Sequence, residues 1–165
     1  MEYACKTIPS PVGLLTAVAG AGGLAAILWE DDDPARTGHR GAAEARDHPV
    51  LCETAAQLGQ YFDGRRRSFT LPLDMAGTEF QQAVWAALRT IPFGETRSYA
   101  AIARQIGRPS ASRAVGAAIG RNPVSIVVAC HRVIGAGGSL TGFAGGLAIK
   151  RHLLALEGAQ SMLLV

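Results

Sequence analysis

At 165 residues the chain has room for one domain of ordinary size or two small ones, and an apolar content of 48% is enough for a packed core. The formal net charge is only +3, but from residue 78 onward eight arginines and Lys150 face only Glu79, Glu95 and Glu157. A basic, arginine-dominated half points to a polyanionic partner, nucleic acid first, with a merely solvated basic surface as the bland alternative. Cys5, Cys52 and Cys130 are an odd number with no CxxC pair, which argues against a disulfide framework or a zinc ribbon and for a reduced, cytoplasmic protein.

Tyr3–Ile8, Gly13–Ala19 and Leu24–Trp29 are short β-prone runs separated by Pro9-Ser10-Pro11 and by Gly20-Ala21-Gly22-Gly23, a pattern that predicts a three-strand meander with Trp29 in its core. Residues 11–29 carry no charge, yet the central glycines break any membrane span, and Glu2 offsets Lys6 where a signal peptide would be net positive. From Glu30 to about residue 48 the chain is polar without apolar periodicity, which predicts a surface loop. Its acidic run lacks the ligand spacing of a metal site. Val50, Leu51, Thr54, Ala55, Leu58, Tyr61 and Phe62 fall at helical spacing and predict an amphipathic helix over the meander, ending near Asp63-Gly64. Arg65-Arg66-Arg67 then suits a helix C-terminus, Ser68–Leu73 reads as one more strand, and residues 75–77 read as a linker.

Thr78 with Gln81 three residues on is a capping box. The helix it opens carries Phe80, Ala83, Val84, Ala87 and Leu88 on its apolar stripe, with Trp85 near the stripe's edge as a packing rather than a binding residue, and stops at Ile91-Pro92-Phe93-Gly94. Tyr99, Ile102, Ala103 and Ile106 mark a second helix. After the Gly107–Ser110 turn, with Ser110 as cap, a third runs to about Gly120, and the pair suggests a helix-turn-helix. On the third helix Ala111, Val115, Ala118 and Ile119 face the core, while Arg113, Gly116, Ala117 and Gly120 share another side. One arginine among residues with almost no side chain suits close approach to a minor groove with Arg113 inserted; small-residue helix packing is the alternative.

Ser125–Val128 reads as a short buried strand that delivers Cys130 beside His131 and Arg132. Cys130 is either a small buried hydrophobe or a nucleophile whose thiolate its neighbours favour. Asn122 can fix the turn ahead of this run. The glycine-rich stretches 135–139 and 141–146 either wall a pocket or simply connect. A last helix spans about Leu147–Glu157. Glu157 ends it, where the helix dipole disfavours a carboxylate, and Leu153 and Leu154 are its neighbours one turn back; it is either a frayed end or the buried partner of His131, as in an acid–histidine–thiol triad.

Gly77–Gln82, Ile91–Tyr99, Ser112–Gly116, Asn122-Pro123, Cys130–Gly135 and Gly145-Gly146, in this order and spacing, resemble the O6-alkylguanine-DNA alkyltransferases (methylated-DNA–protein-cysteine methyltransferases) over about residues 77–158. The resemblance implies an α/β N-terminal ribonuclease-H-like domain (1–74), a linker (75–77) and a mostly α C-terminal domain (78–165) with a winged-helix-like helix-turn-helix. It implies a suicidal, single-turnover repair protein, needing no cofactor and acting as a monomer, that flips O6-alkylguanine, and O4-alkylthymine too, out of double-stranded DNA. Cys130 would take the alkyl group, His131 would remove the thiol proton through a water, Glu157 would hold His131, and Asn122 would brace the turn. Tyr99 would crowd the phosphate and donate to guanine N3. Arg113 would fill the gap in the helix, with Ser112, Gly116 and Ala117 along the minor groove. Val133, Phe143, Ala144 and Lys150 would line the alkylguanine pocket.

Three positions depart from the family pattern. Ala129 replaces the usual proline before the cysteine, Phe143 replaces a frequent tyrosine, and Ala144 stands where some members have serine. Cys5, Cys52, His39 and His48 do not fall at the family's zinc positions, so no metal is expected. A non-covalent lesion sensor and a cysteine hydrolase are competing readings. Cys130 argues against the first, and the opposite orientation of adjacent strand residues argues against a direct Cys-His pair in the second.

Overall fold

A computed structural model describes residues 2–39, 42–140 and 142–159. The chain forms two compact units, the first running to Ala76 and including Pro123–Ser125, the second comprising Gly77–Asn122 and the chain from Ile126 on.

In the first unit, β1 (Ala4–Ile8), β2 (Leu15–Gly20) and β3 (Gly23–Leu28) make the meander. β1 and β2 pair antiparallel from Ala4 opposite Ala19 to Ile8 opposite Leu15. Leu15, Ala17, Val18, Leu24, Ala26 and Ile27 are buried on both faces of β2 and β3, while the polar Lys6 and Thr7 fall on β1. The stretch 30–48 is not all loop: it holds a one-turn helix α1 (Pro34–Thr37) and a two-residue strand β4 (Ala43–Glu44). β4 joins parallel to β1 and completes the order β3-β2-β1-β4. Backbone bonds, Ala43 N–H to Tyr3 O and Ala45 N–H to Cys5 O, hold it there without any apolar side chain.

Helix α2 (Pro49–Phe62) has Pro49 in its first turn, and His48 Nδ1 accepts the Val50 N–H at its cap. Leu51, Leu58 and Tyr61 are fully buried. Burying a large apolar side chain stabilises by about 1.5–3 kcal/mol, so this face anchors the helix. Arg65 pairs with Asp63 and Arg66 bonds back to Gln60, so the first two arginines of the run are satisfied locally.

Residues 68–73 do not form the expected strand. Pro72 has no N–H to give a ladder, and the buried Gln57 amide clasps Thr70 through both its amide N–H and its hydroxyl. A single bridge, Leu24 to Leu73, remains.

The second unit opens with α3 (Glu79–Leu88), capped by Thr78 and Gln81 in reciprocal hydrogen bonds. Its buried face is Val84, Trp85, Ala87 and Leu88, while Ala83 is exposed and Phe80 half-buried. Trp85 is thus core rather than edge, and its Nε1–H donates to Ala118 O at 2.9 Å. Gly77 makes room for it, since a Cβ there would lie 2.5 Å from the Trp85 ring. β5 (Arg97–Ser98) leads into α4 (Tyr99–Gln105), with the Ser98 hydroxyl accepting the Ala101 N–H. α5 (Ser112–Gly120) starts from Ala111 with no side-chain cap, and Ser110 stays exposed outside it.

The run Ser125–Val128 is not a strand. Val124 forms one bridge to Ile27 at the edge of the first unit's sheet, and the chain then turns at Ile126, which adopts φ +74°. Cys130–Arg132 is a single 3-10 turn, followed by β6 (Val133–Ile134), parallel to β5. Helix α6 (Leu147–Leu156) closes the unit, with Leu153 and Leu154 fully buried and Glu157 as its C-cap. Among the described residues no helix is long and apolar enough to cross a membrane.

Candidate active site and nucleic-acid interface

Cys130 is 5% exposed, and its amide N–H donates to Val128 O at 2.8 Å. The turn that precedes it is braced from inside: Asn122, also buried, donates Nδ2–H to the same Val128 oxygen at 2.9 Å. Because residues 130–132 form a 3-10 turn, Cys130 and His131 project about a third of a turn apart instead of to opposite faces of a strand. The strand argument against a Cys-His pair therefore does not apply, but His131 Nδ1 makes no hydrogen bond to the thiol among the described residues, so the two are not directly paired.

His131 is fully buried, and its Nε2 lies 2.7 Å from Glu157 Oε2. An ionised carboxylate only accepts, so Nε2 carries the proton and Nδ1 keeps its lone pair. Nδ1 has no hydrogen-bond partner among the described residues. Burial pushes the His131 pKa down, and the positive charges of Arg132 and Lys150 add to that effect while the Glu157 carboxylate opposes it. The imidazole is thus neutral at physiological pH and presents an acceptor nitrogen.

Glu157 sits at the end of α6 without strain because two groups meet it. Besides His131, Arg132 Nε donates to Oε1 at 2.7 Å and Nη2 to Oε2 at 3.0 Å. Burial alone would raise this carboxyl, but the hydrogen bonds from His131 and Arg132 and the Arg132 charge hold it well below the usual carboxylate range. Lys150, on α6, donates Nζ–H to Val133 O at 2.6 Å. Burial lowers its pKa, opposed by its charge interaction with Cys130, so a cation lies within electrostatic reach of the thiol.

The parallel pairing of Arg97 with Val133 and Ser98 with Ile134 ties the start of α4 to the residues that follow Cys130. Tyr99, the first residue of α4, lies with its ring over Gly116 of α5, where an added Cβ would touch it at 3.7 Å. Arg113 and Ala117 are exposed on this helix, while Ser112 and Gly116 are half-buried. Arg113 has no ion-pair partner among the described residues. Beside them, a groove of about 280 Å³ runs between Phe80 and the Ala114–Ala117 side of α5, with Arg121 at its edge.

Val133 is buried, Phe143 half-buried and Ala144 exposed, the last two within a turn closed by Gly146 N–H to Phe143 O. Thr141 lies outside the described residues.

The sequence of the 6-O-methylguanine DNA methyltransferase DNA-binding domain matches residues 79–159, and that of the same protein's ribonuclease-like domain matches residues 3–75. The chain belongs to the 6-O-methylguanine DNA methyltransferase family. Among its relatives, a methylated-DNA–protein-cysteine methyltransferase of Mycolicibacterium paratuberculosis is 50% identical over 163 residues, covering 98% of this chain and 94% of its own. An inducible enzyme of that name from Bacillus subtilis is 53% identical over 123 residues, covering 74% of this chain and 69% of its own. The crystal structure of Mycobacterium tuberculosis OGT in complex with DNA superposes with a TM-score of 0.85 at 46% identity, over 97% of this chain and 94% of that one.

Within this methyltransferase fold, sequence reasoning placed Arg132 only as a neighbour of the thiol. Its fork on Glu157 spans 25 residues and leaves no local signature. The sole hint was the need of a carboxylate on an apolar stripe for a buried cation.

Proposed function

We propose that this chain reverses alkylation damage in double-stranded DNA, taking the alkyl group from O6 of guanine, and from O4 of thymine, onto Cys130 in one irreversible step. The observation that carries this reading is the buried His131–Glu157 pair beside Cys130, which leaves His131 Nδ1 as a proton acceptor. His131 takes the thiol proton through one water. The thiolate sulfur attacks the alkyl carbon in line, a carbon–sulfur bond forms, and the bond from that carbon to O6 breaks with its electrons passing to the guanine. Tyr99 donates to guanine N3 as the base leaves, and the proton given up by the thiol is the one the guanine finally regains. The thioether has no route back to a thiol, so each molecule acts once.

The lesion enters from the minor groove. α5 offers Gly116 and Ala117 for close approach along Ser112, and Arg113 fills the gap left by the rotated nucleotide. Extruding a base costs a few kcal/mol, offset by the arginine and by pocket contacts from Val133, Phe143, Ala144 and Lys150. The protein works as a cytoplasmic monomer.

Incubation with a duplex carrying one O6-methylguanine, followed by intact-protein and peptide mass spectrometry, tests this directly. The expected result is one methyl on the Cys130 peptide per protein, absent in Cys130→Ser. Tight lesion binding without mass gain would make the chain a sensor, and turnover of an ester or amide would make it a hydrolase.

A further inference from the structure

We infer that Arg132 is a positioning residue which keeps His131 in its neutral, proton-accepting form by holding the Glu157 carboxylate in a two-pronged grip and sharing the oxygen that His131 faces. The inference rests on the proposed role of Cys130 as alkyl acceptor and His131 as its base.

The geometry is specific. Oε1 of Glu157 accepts from Arg132 Nε, while Oε2 accepts from both His131 Nε2 and Arg132 Nη2. Arg132 cannot swing away from this arrangement. Its Nη1 donates to Ile91 O at 2.7 Å, its guanidinium lies 5.8 Å from the centre of the Phe93 ring, and the side chain is 9% exposed. All three guanidinium nitrogens are thereby engaged, and the planar fork fits the carboxylate as a lysine could not.

The consequence is electrostatic. A buried carboxylate facing a histidine with no other cation would draw a proton onto the imidazole and settle as an ion pair. Here the carboxylate already has its counter-ion, so Arg132, Glu157 and neutral His131 sum to zero charge. A second proton on His131 would create a net positive charge in a buried site that also holds Lys150. The charged and titratable groups that act on the imidazole are Glu157 and Lys150 from the α6 segment and Arg132 from its own turn, and the depressed basicity of His131 has the Arg132 and Lys150 charges among its causes. Cys130, on the same turn, interacts with Lys150. Removing the Arg132 charge while keeping Glu157 therefore raises the proton affinity of His131. Nδ1 then becomes a donor at a pH where it now accepts.

The test is the pH profile of single-turnover methyl transfer from a duplex bearing one O6-methylguanine, measured for the wild type, Arg132→Met and Arg132→Lys. The acid limb, below which the rate falls about tenfold per pH unit, is expected to move up by about one unit or more in Arg132→Met, and to stay within about half a unit of wild type in Arg132→Lys. A merely structural role would lower the rate of Arg132→Met by the same factor at every pH, and that result would overturn the inference. A second measurement holds even if Arg132→Met does not fold. In the imidazole ¹⁵N spectrum of the wild-type protein, His131 is expected as the neutral form protonated at Nε2 throughout pH 6–8. A doubly protonated His131 at pH 7 would also overturn it. Failure of the wild type to methylate Cys130 at any pH would instead count against the proposed function, because the imidazole spectrum reports on Arg132 and Glu157 independently of transfer.

Discussion

Ile126 offers a sharp test of how the chain reaches Cys130. It is 1% exposed, β-branched, and holds φ at +74°, where a Cβ costs about 1–2 kcal/mol relative to the right-handed region. Two opposed effects can be separated by two variants. Ile126→Ala deletes the buried side chain but keeps the Cβ, so it loses the burial, about 2–5 kcal/mol, without relieving the backbone. Ile126→Gly loses the same burial and the Cβ strain as well. At an ordinary position glycine is less stable than alanine by about 0.5–1 kcal/mol. Here the relieved strain outweighs that entropy, and the glycine variant should exceed the alanine variant by about 0.5–1 kcal/mol. For a chain of this length that is a Tm difference of about 1–4 °C. Urea and thermal unfolding of the three proteins decide it: the expected order is wild type, glycine, alanine. An alanine variant more stable than the glycine variant would show that the turn into Cys130 carries no left-handed strain.

Glu157→Gln should cost about 3–5 kcal/mol in urea unfolding, because it strands the buried Arg132 charge, and near-wild-type stability would show that this charge has water access. The acid side of the stability profile should have two stages. His131 has a folded pKa below its ordinary 6.5, so the unfolded chain takes up a proton that the folded chain does not, and stability falls as pH drops below about 6.5. Glu157 is depressed below its ordinary 4.5, so its contribution is full above about 4.5 and is lost below it. Tm measured from pH 8 to pH 3 should show both stages, and His131→Gln should remove only the first. Arg113→Ala, at an exposed position, should leave stability within about 0.5 kcal/mol of wild type. Single-turnover transfer from duplex DNA should fall at least tenfold while reaction with free O6-alkylguanine base stays unchanged; an equal loss on both substrates would remove Arg113 from the DNA-binding role.

Much of the fold was legible because the relevant signals are local. The Thr78–Gln81 box, the glycine turns of the meander and the helical stripe from Leu51 to Tyr61 each act within one or two turns of chain. The misses have tertiary causes. Ser125–Val128 has the composition of a strand, but Ile126 and Val128 are buried by a turn, and burial rather than backbone pairing is what such a run requires. β4 was invisible inside a polar stretch because its pairing with β1 is made by main-chain groups, which leave no apolar pattern in the sequence. Trp85 was placed at an edge because the helical wheel says nothing of the Ala118 carbonyl waiting 33 residues away. At the site, the placement of Glu157 on an apolar stripe was enough to demand a buried partner and to suggest His131. Which cation completed the set was not readable, since the three members come from two segments 25 residues apart.

The Pro123–Ser125 segment has a further consequence, for synthesis. Ile27 N–H donates to Pro123 O and Ile27 bridges Val124, so the edge of the first sheet is completed by residues made long after the rest of that sheet. At about 5–20 residues per second, the roughly 50 residues between Ala76 and that segment take several seconds to emerge from the ribosome. Throughout that interval β3 carries an unfilled main-chain donor at Ile27, beside apolar residues that are buried in the finished protein. The newborn first unit is therefore a candidate for chaperone capture or strand-edge aggregation until the second unit is largely translated.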